Sequence, residues 1–252
     1  MTAALTVSAI QYRALSGGIP VNAPEHVRLI EDAESHGARL VIFPELSLTG
    51  YDLQLLQDPV HWLSEADQRL DGIREICRRT GITAVVGGAL RQADGTPRLA
   101  SMAIHPGGQT DSGFKTHLHG EEKFLFIPGD GAVVVELDGW KIALAICFDA
   151  AVPGHSGAAA ETGADAYAVS ALYTEGEELR LALHLGARAM DNRMFGILAN
   201  LGGDSALGPS CGLSGFWGPD GTVIRQASGT GTEVVTAVLQ RSTLQRFRPA
   251  AR

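Results

Sequence analysis

Short apolar runs alternate along the chain with longer polar segments whose apolar residues recur at helical spacing, a pattern that predicts strands crossed over by helices and an α/β fold. Strands are expected at 5–11, 40–43, 82–86, 98–105, 113–116, 133–136, 141–146, 166–170 and 195–199, and helices at 24–36, 61–79, 155–162 and 176–193. Pro44 has no N–H to offer a sheet, so it stops the strand at 40–43 and leaves Glu45 at its carboxyl end. The strand at 141–146 delivers Cys147 in the same way. Asp138-Gly139 is a two-residue hairpin signal, Pro106-Gly107-Gly108 supplies a turn, and two more hairpin strands flank Pro219-Asp220-Gly221. Gly87-Gly88 and Gly212, Gly215 and Gly218 read as tight turns, because no GxGxxG opens a helix after a strand and a dinucleotide fold is rejected. Neither an internal repeat nor a low-complexity linker divides the chain, so one domain over 1–252 is expected, with a frayed tail from about 243.

Composition narrows the function. A 252-residue chain with 45% hydrophobic and 19% charged residues can build a sizeable core. The net charge of −8 argues against a nucleic-acid surface, which needs a concentrated Lys/Arg excess. The longest apolar runs are strand-sized, far below the roughly 20 residues of a membrane helix, and 1–11 lacks the features of a signal peptide. A cytoplasmic protein is the expectation. Cys77, Cys147 and Cys211 have no CxxC spacing, so neither a disulfide framework nor a zinc site is suggested. Cys77 reads as core packing, and the His117/His119 pair as solvated loop histidines without a further ligand set.

Three polar residues stand at or beside apolar strands: Glu45 after Leu-Val-Ile-Phe-Pro, Lys115 in Gly-Phe-Lys-Thr-His-Leu, and Cys147 after Ala-Leu-Ala-Ile. In α/β sheets, ligand sites open at the carboxyl ends of strands, where Glu45 and Cys147 could converge. Taken singly, they read as a helix-start carboxylate, a sheet-edge charge and a small core residue. Together they suffice for nucleophilic acyl chemistry, in which a thiol needs a base and the developing oxyanion needs a cation.

The segments Phe43-Pro44-Glu45-Leu46-Ser47-Leu48-Thr49-Gly50-Tyr51, Lys115-Thr116-His117-Leu118 and Ile146-Cys147-Phe148-Asp149 resemble, in order, the three catalytic motifs of the nitrilase superfamily of carbon–nitrogen hydrolases. Glu122, Phe126-Ile127-Pro128-Gly129-Asp130, Arg188-Ala189-Met190-Asp191-Asn192 and Gly212-Leu213-Ser214 extend the resemblance over nearly the whole chain. It implies a four-layer α-β-β-α sandwich and a homodimer or larger homo-oligomer formed through an outer helical layer. It also implies Cys147 as nucleophile, Glu45 as general base, Lys115 beside the oxyanion and Glu122 as the second glutamate, with the Phe148 N–H as a further oxyanion donor. Tyr51, Phe148, Tyr173 and Thr174 are pocket residues by family position. The substrate would be a small amide-type molecule, and the chemistry needs no metal or organic cofactor.

One departure bears on substrate. Family members often carry an arginine after the nucleophile, whereas this chain reads Phe148-Asp149-Ala150-Ala151-Val152-Pro153, which weakens a carboxylate-bearing ω-amide or N-carbamoyl substrate without eliminating it. The short chain and the Lys-Thr-His-Leu context look closer to the amidase-like branches than to nitrile hydrolysis. Acyl transfer to an acceptor other than water, nitrile hydrolysis and a non-catalytic binding member stay open, as does the protonation state of Cys147.

Overall fold

Residues two apart along a strand face the same side, and here the two sides bury different partners. In β1 (Ala4–Gln11), Leu5, Val7 and Ala9 enter one cluster and Ile10 another. In β7 (Trp140–Ile146), Trp140, Ile142 and Leu144 join the first of these clusters, while Ala143 and Ala145 face a third. The computed structural model, which describes residues 2–248, thereby stacks helices, sheet, sheet and helices, the four-layer α-β-β-α arrangement expected.

The first sheet has the order β14 (Glu233–Gln240), β1, β2 (Leu40–Ile42), β3 (Thr83–Arg91), β4 (Pro97–Ile104) and β5 (Thr110–Phe114). The second runs β13 (Val223–Gln226), β12 (Gly215–Trp217), β9 (Phe195–Asn200), β8 (Ala166–Ala171), β7 and β6 (Val134–Leu137). A small hairpin, β10 (Asp204–Ser205) and β11 (Gly208–Pro209), stands apart. Strands β1–β3 and β7–β9 are parallel, which requires crossovers. Helices α1 (Ile19–Ser35) and α2 (Asp71–Thr80) supply them on one outer face, α4 (Pro153–Glu161) and α5 (Glu178–Asn192) on the other. Asp138-Gly139 joins β6 to β7 with both residues at positive φ, as its sequence anticipates. Cys77 is buried in the α2 core. Among the described residues, no helix is long and apolar enough to cross a membrane.

Several boundaries differ from expectation. Helix α1 begins at Ile19, with Pro20 in its first turn, and contains Pro24 on its exposed side, where Pro20, the residue left without that hydrogen bond, is exposed as well. Residues 61–70 are loop and 3₁₀ turns preceding α2, and Leu63 bridges Leu90 as an extended residue. Gly87 and Gly88 are not a turn but lie within β3, and Gly215 opens β12. The expected frayed tail is ordered through residue 248. There α6 (Arg241–Phe247) buries Leu244, Arg241 stacks over Trp140, and Arg241 and Arg248 both reach Asp165. Residues 249–252 lie outside the described part.

The segment after β2 is held from behind by His26 of α1, which is fully buried and stacked on Phe43 at 4.0 Å. Its Nδ1 must donate to the Asn22 carbonyl (2.8 Å), so Nε2 accepts from the Ser47 hydroxyl (2.9 Å), and Ser47 Oγ in turn accepts from the Gly87 amide. Burial pushes the His26 imidazole down to about 4 against one backbone hydrogen bond. The unfolded chain therefore binds a proton near pH 6.5 that the folded chain refuses until about pH 4, and stability falls as pH drops through that window. The expected total is about 3 kcal/mol. Urea unfolding of wild type and His26→Phe between pH 7 and 4 checks this; equal pH slopes in the two proteins contradict it.

Candidate active site

Three strand ends converge. β2 ends ahead of Phe43-Pro44-Glu45, β5 ends one residue before Lys115, and β7, in the opposite sheet, ends one residue before Cys147. Close approach of the Glu45 segment to β3 explains Gly87: a Cβ there would stand 2.3 Å from the Pro44 carbonyl oxygen and 2.6 Å from the Leu46 nitrogen. Cys147 itself has φ +46°, the left-handed region that costs an L-residue about 1–2 kcal/mol. Such conformations persist only where neighbours hold them, and they cluster at functional sites.

Lys115 is buried at 1% exposure, and its Nζ donates to Glu45 Oε1 and Glu122 Oε1, both at 2.7 Å. An ammonium has three donors, so one remains for a substrate. Glu122 is fully engaged: Oε1 also accepts from the Tyr51 hydroxyl at 2.6 Å, and Oε2 from the His119 amide at 2.8 Å. Glu45 differs. Its Oε2 is buried with no hydrogen-bond partner among the described residues, and the Cys147 thiol is close enough to act on this carboxylate as a donor. In the resting geometry the thiol points to the Leu172 carbonyl, 3.7 Å away.

The electrostatics follow from burial and crowding. Burial raises the Glu45 carboxyl to about 7, with Lys115 opposing and Glu122 adding to the rise. Burial alone would lower Lys115, but the negative groups around it hold the ammonium above its ordinary range. Burial and Glu45 push the Cys147 thiol up, more than Lys115 pulls it down. Both shifts favour a neutral thiol beside a Glu45 carboxyl of raised proton affinity.

Lys115, Glu122 and Cys147 open onto one cavity of about 230 Å³, which Tyr51, Phe148, Tyr173 and Thr174 also line. Glu45 lies behind Lys115 and does not line it. Sequence reading missed His119, Leu172, Glu177, Arg180, His184 and Leu207 at the same cavity. His119 is an exposed loop residue, as its sequence suggests, and it also packs against Phe148 with ring centroids 5.0 Å apart. His117, read the same way, meets Asp149 at 2.9 Å. Glu177, Arg180 and His184 recur at three- and four-residue spacing, so one polar face of the helix start was visible, but not what it faces. Glu177 accepts from the Thr174 amide and hydroxyl and from Arg180, while His184 meets the Tyr173 hydroxyl at 3.0 Å. An arginine, Arg180, thus lines the cavity although none follows the nucleophile. Among the described residues, no three His, Cys, Asp or Glu side chains stand together as a metal-ligand set.

The chain is similar to known proteins in both sequence and fold. The carbon-nitrogen hydrolase family model matches residues 6–249. A nitrilase of Pyrococcus abyssi is 31% identical over 217 residues, covering 83% of this chain and 80% of its own. An (R)-stereoselective amidase of a Pseudomonas species is 29% identical over 167 residues, 64% of this chain and 58% of its own. Among solved structures, Saccharomyces cerevisiae Nit3, a member of branch 10 of the nitrilase superfamily, superposes with a TM-score of 0.90 over 100% of this chain and 97% of its own, at 20% identity. A variant of the amidase from Nesterenkonia sp. AN1, with acrylamide added to its active-site cysteine, has a TM-score of 0.84 and 25% identity, covering 96% and 95% of the two chains.

Proposed function

Because this chain belongs to the carbon-nitrogen hydrolase family, we propose that it hydrolyses a small amide through a thioester on Cys147. The observation that carries this reading is the buried Lys115 ammonium held between Glu45 and Glu122 at 2.7 Å each, on a cavity that Cys147 also lines. Glu45 takes the thiol proton as Cys147 Sγ forms a bond to the amide carbon, and the carbonyl π electrons move to oxygen. The third Lys115 N–H and the Phe148 amide, at the start of a 3₁₀ turn where N–H groups lack intrahelical partners, face that oxyanion. Glu45 returns its proton to nitrogen, the C–N bond breaks and ammonia leaves. A water deprotonated by Glu45 then cleaves the thioester, giving the acid and the free thiol. Protonated Cys147 as the resting form favours transfer within the thiol–carboxylate pair over a standing thiolate.

The cavity lies below the roughly 300–1,000 Å³ of drug-sized sites, which supports a small substrate. Arg180 keeps short amides with a remote carboxylate within the class, since only one of its donors is engaged by Glu177.

Short aliphatic amides, ω-amides, N-carbamoyl amino acids and nitriles, assayed for ammonia and acid, test the reading. Release from at least one amide is expected, and because Glu45 must begin as a carboxylate, kcat/KM should rise with pH through about 7. Glu45→Gln should lose that limb together with the activity. Ammonia release confined to nitriles, or an unaltered pH limb in an active Glu45→Gln protein, would contradict it.

A further inference from the structure

Behind the nucleophile lies a second cluster of ionisable side chains that these steps leave unused: His117, Asp149, His155 and Tyr167. Asp149 is 1% exposed, and the groups that meet its carboxylate are nitrogens. Oδ1 accepts from the His117 amide at 2.8 Å and the Thr116 amide at 3.2 Å, and lies 2.9 Å from His117 Nδ1. Oδ2 accepts from the Ile146 amide at 3.1 Å and has His155 Nε2 at 3.8 Å. His155 is fixed from the far side by the Tyr167 hydroxyl, 2.7 Å from its Nδ1.

These contacts join parts of the site that are carried on different sheets. Ile146 and Asp149 bracket Cys147, so their hydrogen bond closes the turn that contains the strained φ of +46°. Thr116 and His117 directly follow Lys115. One buried carboxylate therefore ties the end of β7, in the second sheet, to the segment leaving β5, in the first. Arg188 of α5 grips the same turn through the Ala150 carbonyl at 3.0 Å, but it does not touch the lysine segment.

We propose that Asp149 is the positioning residue of this site: its carboxylate holds Cys147 in the left-handed conformation and sets the Lys115 segment against it across the two sheets. The proposal rests on the thioester reading above. Geometry gives it a chemical signature, because the backbone amides of residues 116, 117 and 146 can only donate. An asparagine offers one acceptor oxygen, so either the 116–117 pair or the Ile146 amide would face an NH₂ group and lose its bond.

In Asp149→Asn, checked for fold by circular dichroism and thermal unfolding, kcat on the best amide should fall by about 10²-fold, the scale of a 1 Å misplacement, while KM changes little. Alkylation of Cys147 by iodoacetamide, read by peptide mass, should slow by about tenfold, since thiol placement and access set that rate. Cys77 and Cys211 are buried and serve as internal references. Should Asp149→Asn fail to fold, His117→Phe removes one donor from the same carboxylate and leaves the three amides; a smaller fall in kcat at constant KM is expected. Wild-type kcat and alkylation in a folded Asp149→Asn protein, or losses that follow only the unfolded fraction, overturn the proposal. Failure of the hydrolase reading looks different: wild type then releases no ammonia from any amide, while the alkylation rates still report on Asp149.

Discussion

Cys147→Ala leaves a folded protein whose amide turnover is lower by at least about 10⁴-fold, the scale seen when a covalent nucleophile is removed. The structure separates chemistry from stability at this position. The side chain lines the cavity and is only partly buried, and its hydrogen bond to the Leu172 carbonyl is long, at 3.7 Å. Alanine keeps the Cβ and the same cost at φ +46°, so the expected loss of stability is only about 1 kcal/mol. Ammonia release and urea unfolding on one preparation measure both. Substantial turnover in the folded variant would remove Cys147 from the mechanism.

Lys115→Met should damage both properties. Losing one oxyanion donor costs about 10²–10³ in kcat, and here the same ammonium also holds Glu45 and Glu122. Without it, two buried carboxylates lie near each other with no cation between them. Repulsion and burial then raise their proton affinity, and Glu45 no longer begins as a base. Breaking a buried pair by deleting one partner typically costs about 3–5 kcal/mol. For a chain of this length that corresponds to a fall in Tm of roughly 10 °C. Thermal unfolding and single-turnover kinetics should move together, unlike in Cys147→Ala. Near-normal kcat would show that the ammonium does not face the oxyanion, and an unchanged Tm that it does not hold the carboxylates.

Local chemistry was the legible part of this protein. Alternation in 5–11, the apolar run in 141–146, the stop at Pro44 and the Asp138-Gly139 turn are decided by neighbouring residues, and the structure follows them. Glu45, Lys115, Glu122 and Cys147 were found because they stand in recognisable segments, and folding brings them together. Features decided by distant partners were not legible. β14 carries apolar residues on both faces, and only its pairing with β1, more than 220 residues away in sequence, decides that Val235, Ala237 and Leu239 turn inward. The basic residues 241–248 look like a tail until Asp165 and Trp140 supply partners. Gly87 serves not a turn but the space that the Glu45 segment occupies, which no local pattern encodes. Arg180 and His184 likewise look like ordinary helix-surface residues until packing sets them at the cavity.

Rapid acid quenching during turnover of the best amide, followed by peptide mass mapping, tests the central claim most directly. The account predicts that the peptide bearing Cys147 gains the mass of the substrate less ammonia, that hydroxylamine strips the adduct, and that hydroxylamine added during turnover diverts product from acid to hydroxamate. Ammonia release with the acyl group on another residue, or with neither adduct nor hydroxamate formed, would contradict it.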